Sequence, residues 1–77
     1  MYKGKIIFIN RHALDGMNAE RPPIRVNDVE ETLKNPDKVN GRQYMKWIGN
    51  RTIIIYVQES PDYWDIRSAS STRRKIK

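Results

Sequence analysis

The sequence predicts an α+β domain in which two helices from the N-terminal half pack on one face of a three- to five-stranded antiparallel sheet. Two patterns and one turn carry this. Ala13, Leu14 and Met17 recur at helical spacing, as do Val29 and Leu33, whereas from Gln43 onward the apolar residues follow period two. Between two strand-like runs stands Gly49-Asn50, a two-residue loop suited to a tight hairpin. The 77 residues make one domain, 1–77. A chain of this length buries only roughly 60% of the surface its unfolded form exposes, so the core must be small.

Residues 3–9 read as the first strand, because Ile6, Ile7, Phe8 and Ile9 are β-formers flanked by Lys3, Lys5 and Asn10. Asn10 is placed to cap the first helix, and Pro22-Pro23 ends it. Asn27 followed by Glu30 resembles a capping box for the second helix, which Asn35-Pro36-Asp37 closes. Asp28, Glu30 and Glu31 fall in its first turn, where the helix dipole favours negative charge. Gln43 to Ile48, Arg51 to Gln58 and Tyr63 to Ser68 then read as three strands, with a weak one around Val39. Ile53 to Val57 is apolar on both faces, which marks a central strand. Ser70 to Lys77 reads as a short basic helix or a tail.

The two-residue hairpin pairs Ile48 with Arg51, and that register sorts the faces. Tyr44, Ile48, Ile53, Ile55 and Val57 turn to the helices, joined by Trp64 and Ile66. The opposite face receives Met45, Trp47, Thr52, Ile54 and Tyr56, with Tyr63, Asp65 and Arg67 beside them. Aromatics interleaved with arginine suit stacking of bases and contact with phosphate in single-stranded RNA. Large side chains covering the back of a two-layer domain would give the same pattern.

Composition removes several chemistries. Without cysteine there is no disulfide scaffold and no thiolate metal site, and one histidine rules out a multi-histidine centre. No nucleotide-binding glycine loop, serine elbow or acidic metal cluster occurs, so neither metal nor cofactor is expected. The longest apolar run, Ile53 to Val57, is far below the roughly 20 residues of a membrane helix. No secretory segment opens the chain, and the cytoplasm is the expected compartment.

Fifteen basic residues against nine acidic ones leave a net charge of +6, which favours a polyanionic partner, most often nucleic acid. The excess concentrates from Trp64 to Lys77, where Arg67, Arg73, Arg74, Lys75 and Lys77 face one acid, Asp65. Arg73 and Arg74 are therefore candidate phosphate contacts, as are Arg11 and Arg51, with Trp47 as a stacking residue.

RNA cleavage without a cofactor is feasible because the 2′-hydroxyl is an internal nucleophile. A base, an acid and positive charge at the phosphorane suffice. His12, beside Arg11 in the first turn of the first helix, is a candidate: cations there oppose the helix dipole unless an anion is expected. Tyr56 and Arg67 are the other candidate catalytic groups. Each also has a plain structural reading, as a capping or packing histidine, a strand tyrosine and a solvated arginine.

His12-Ala13, Met17, Arg21, Ile24, Asp28-Val29-Glu30-Glu31, Leu33 and Pro36 together resemble a family of small domains allied to the BrnT and RelE toxins. Ile66-Arg67-Ser68-Ala69 followed by Arg73-Arg74 is similar to the closing strand and basic segment of BrnT. The resemblance implies a RelE-like fold and a ribonuclease toxin neutralised by an antitoxin protein, with His12 and Arg67 as the positions carried over. The resulting expectation is a metal-independent endoribonuclease acting on single-stranded RNA. Two alternatives stay open: a non-catalytic basic nucleic-acid-binding module, and a protein-interaction domain that pairs through a sheet edge.

Overall fold

A computed structural model describes residues 6–74 of the chain. Its elements run β1 (Ile6–Ile9), α1 (Arg11–Ala19), α2 (Val26–Lys34), β2 (Lys38–Asn40), β3 (Gln43–Ile48), β4 (Arg51–Glu59) and β5 (Tyr63–Thr72). The five strands form one sheet in the order β1-β5-β4-β3-β2, with both helices on one face. Strand β4 is central, as its two-sided apolar run requires.

The sheet is mixed, which corrects the antiparallel expectation. Strands β2 to β5 pair antiparallel, but β1 lies parallel to β5, with Ile6 opposite Tyr63 and Ile9 opposite Ile66. The hairpin turns fix the pairings of neighbouring strands. No turn links β1 to β5, so its partner is set by tertiary packing alone. Residues 3–5 of the expected first strand lie outside the described residues.

Helix α1 starts as the sequence dictates: the Asn10 side chain accepts a hydrogen bond from the Ala13 N–H at 2.8 Å. Ala13 and Met17, one turn apart, are buried against the sheet, whereas Leu14 is exposed and not part of the core face. The contact strip is narrow because the helix lies close to β5. A Cβ on Gly16 would stand 3.2 Å from the Ala69 carbonyl oxygen.

Helix α2 begins two residues before the expected Asn27 cap. Arg25 is the cap residue, and its N–H donates to the Asp28 carboxylate at 3.1 Å, the bond expected of Glu30. Burial of Ile24, whose N–H donates to the Met17 carbonyl at 3.0 Å, anchors the preceding loop and forces this early start. Val29 and Leu33 are buried, and Asn35 ends the helix.

Gly49 adopts φ 68°, and Ile48 pairs with Arg51 as the two-residue loop demands. Ile53, Ile55, Val57, Trp64 and Ile66 therefore meet Ala13, Met17, Val29 and Leu33 in one core. Each fully buried isoleucine contributes roughly 1.5–3 kcal/mol by leaving water.

Strand β5 continues four residues past the expected end at Ser68, through a β-bulge. Tyr56 pairs with Ser68 but Val57 pairs with Ile66, so Arg67 is an extra residue with no counterpart on β4. The bulge reverses the alternation beyond it and turns Ala69, not Ser68, into the core. Ser70 to Thr72 are thus strand, not helix or tail. Lys75 to Lys77 lie outside the described residues.

Candidate nucleic-acid interface

The face of the sheet turned away from the helices carries the side chains that the hairpin register assigns to it. Reading across the strands, Trp47 of β3 opposes Thr52 of β4, which opposes Thr72 of β5. The next outward row is Met45, Ile54 and Ser70, and the one after it Gln43, Tyr56 and Ser68. Beyond the bulge, Gln58, Asp65 and Phe8 form a row, and Tyr63 and Ile6 another. Trp47 and Tyr56 are therefore two rows apart, separated by Met45 and Ile54. At about 3.3 Å per residue, the four residues from Thr52 to Tyr56 span ~13 Å. The aromatics form stations along a face, not one stacked platform.

Tyr56 and Arg67 are neighbours in register on this face, with the Arg67 guanidinium on Asp65 of its own strand. The bulge sets Arg67 at the Tyr56–Val57 step, on the same face as Asp65. Its Nη1 donates to Asp65 Oδ2 at 3.0 Å. The other carboxylate oxygen, Oδ1, is buried with no hydrogen-bond partner among the described residues, so the carboxylate is fixed from one side. Tyr56 is 45% exposed and Tyr63 41% exposed, which leaves their rings open to a ligand. Asp65 was absent from the candidate residues read from the sequence. Its signal there was parity: two residues before Arg67 on one strand, it has to share that face.

His12 is not part of this group. It is exposed on α1, whose buried residues Ala13 and Met17 pack on the other face of the sheet. His12 thus belongs to the helix layer and Tyr56 to the opposite face of the sheet, and the three expected catalytic groups do not share one face. Arg11, the neighbouring residue on α1, is likewise exposed in the helix layer.

Arg51 takes a structural position. It is buried on the helix face, where its guanidinium donates to the Pro22 carbonyl and to the Pro23 carbonyl at 3.1 Å. Asp28 Oδ2 lies 4.0 Å away. The same register that pairs Arg51 with Ile48 requires this, because directly opposed residues share a face. Arg51 ties the β3–β4 hairpin to the loop between the helices, and an open-face RNA contact is excluded for it.

Arg73 and Arg74 are exposed where β5 ends. The Thr52 hydroxyl donates to the Arg74 carbonyl at 2.6 Å, which holds this basic segment beside the first residues of β4. Cationic side chains thus gather at the hairpin end of the sheet, next to the row that contains Trp47.

Among the described residues no helix is long and apolar enough to cross a membrane. Comparison of the chain with protein-family models, with curated proteins and with solved structures found no match. The fold and the open face define the class as a small α+β domain with two helices on a five-stranded mixed sheet.

Proposed function

We propose that this protein binds single-stranded RNA across the outer face of its sheet and cleaves it without a metal ion, in the manner of the RelE and BrnT toxins it resembles. The observation that supports this reading is the juxtaposition of Tyr56 and Arg67 at the β5 bulge. An exposed ring and a cationic side chain at neighbouring register positions of one face offer a stacking surface and a phosphate contact to one bound strand. Arg67 would neutralise charge developing on the scissile phosphate, and Asp65 would hold the guanidinium in place. The Tyr56 hydroxyl is a proton-carrying group on the same face. His12 falls outside the scheme because it belongs to the helix layer.

The position of His12 also favours a second reading, in which the same face binds RNA without cleaving it. A labelled single-stranded RNA incubated in EDTA separates the two. Cleavage by the wild type that is lost in Arg67→Ala and reduced in Tyr56→Phe supports the nuclease. Salt-sensitive binding with the RNA intact supports the binding module. A toxin of this kind would have an antitoxin partner, and Ile6 and Phe8, 60% and 55% exposed on edge strand β1, are the apolar surface open to it.

A further inference from the structure

At the hairpin end of the sheet a cleft opens between the last turn of α1, the start of β4 and the end of β5. Three arginines line it: Arg21, Arg51 and Arg73, together with Asn50, Ser71 and Thr72. We propose that this cleft is a phosphate-binding subsite, which takes a backbone phosphodiester of the RNA held on the open face. This rests on the RNA reading above and joins two arginines the sequence marks as phosphate contacts, Arg51 and Arg73, with Arg21, which it does not mark.

Three like charges converging on one cleft repel one another unless a negative group joins them. Two carboxylates stand against them: Glu20 accepts a hydrogen bond from the Ser71 hydroxyl, and Asp28 Oδ2 lies 4.0 Å from Arg51 Nη2. The cleft therefore keeps an excess of positive charge. Its cationic walls are held in place. Arg51 is buried and fixed by the Pro22 and Pro23 carbonyls, and Arg21 Nη1 donates to the Asn18 and Glu20 carbonyls, each at 3.0 Å. A guanidinium has five N–H donors, so these bonds leave donors over on both residues. Arg73 is exposed, and among the described residues no hydrogen bond or ion pair engages its guanidinium. A fork of N–H groups of this kind matches phosphate oxygens in geometry as well as charge.

The cleft adjoins the hairpin end of the face, with Arg51 and Ser71 lining it from the helix side. A strand on the face would enter it by turning over the end of the sheet. Thr72 shares a row with Thr52 and Trp47, and Ser68, beside Tyr56, stands four residues back along β5. At about 3.3 Å per residue this is ~13 Å, a distance one short oligonucleotide spans. The base-stacking stations and the cleft would then hold successive parts of one strand. Three arginines against the carboxylates of Glu20 and Asp28 leave one net positive charge, which matches a singly charged diester better than a doubly charged terminal phosphate.

The test uses the full-length ¹⁵N-labelled protein and two probes, inorganic phosphate and hexauridylate, at matched ionic strength. Phosphate should shift the amide signals of Asn50, Thr72 and Arg73 saturably, and Arg73→Ala should abolish this. Arg73 lies beyond the last strand residue, so the variant should fold; Arg21→Ala provides an independent second probe. Hexauridylate should shift the cleft and the Tyr56 region together. Each variant should make the dependence of log K on log salt shallower by about 0.7, the loss of one phosphate contact to a single strand. If phosphate leaves the cleft signals unmoved and both variants keep the wild-type salt slope, the subsite is wrong while RNA binding on the face stands. If phosphate saturates the cleft but hexauridylate binds nowhere, the cleft is an anion site and the RNA reading fails.

Discussion

Arg67 donates from Nη1 to Asp65 Oδ2 at 3.0 Å, at the one step where the register between β4 and β5 shifts. The pair neighbours Tyr56 in register, which places a cation, an anion and an exposed aromatic ring on the sheet face turned away from the helices. Bulges re-aim side chains at the cost of local pairing, and here the residues beyond Arg67 are re-aimed, with Ala69 turned into the core.

Replacing Tyr56 by alanine should lower affinity for single-stranded RNA by about 1–3 kcal/mol, the range for loss of one base–aromatic stack. Tyr56→Phe keeps the ring and should retain most of that affinity. Fluorescence anisotropy with a labelled oligoribonucleotide reads both. Equal losses in the two variants would point to the hydroxyl instead of the ring.

Arg51→Ala should destabilise the fold by about 1.5–3 kcal/mol, because charge-assisted bonds to two loop carbonyls disappear. Arg51→Lys should recover only part, since one ammonium cannot reproduce the fork that reaches both Pro22 and Pro23. Urea denaturation measures each variant. Wild-type stability in Arg51→Ala would show that the contacts are incidental.

Gly49→Ala should cost about 1–2 kcal/mol, because φ at this position is 68° and a side chain disfavours the left-handed region. No heavy atom lies within 4 Å of the added Cβ, so backbone strain is the whole effect. Gly49→Asn, which tolerates that region better, should lose less in the same thermal melts.

His12→Ala should leave RNA affinity unchanged and stability nearly so, since the side chain is exposed on the helix layer. The same anisotropy titration and a thermal melt decide this. A marked loss of RNA binding would place the site on α1 and overturn the assignment to the open face.

Much of the fold was legible because it depends on short-range chemistry. Gly49-Asn50 set the hairpin register, and that register sorted Ile53, Ile55 and Tyr56 onto their correct faces. Asn10 announced the start of α1 by its capping side chain. What was not legible depended on distant packing. Nothing in Ile6–Ile9 states that its neighbour is β5, nor that the two run parallel. The bulge at Arg67 leaves no mark in residue type, so period two broke at Ser68 and the strand was cut short. The place of Arg51 is legible in the register: a residue paired with core-facing Ile48 has to face the core as well. The rotation of α1 about its axis, which decides where His12 points, follows from the burial of Ala13 and Met17 rather than from its position in the helix.

The central claim is that RNA meets this protein at Tyr56 and Arg67. Its most direct test is amide chemical-shift mapping of the wild type with hexauridylate at low salt, repeated with Arg67→Ala. The account predicts saturable shifts centred on Tyr56 and Ser68, with weaker binding in the variant. Saturable shifts confined to the helix layer, or no binding at low salt, would contradict it.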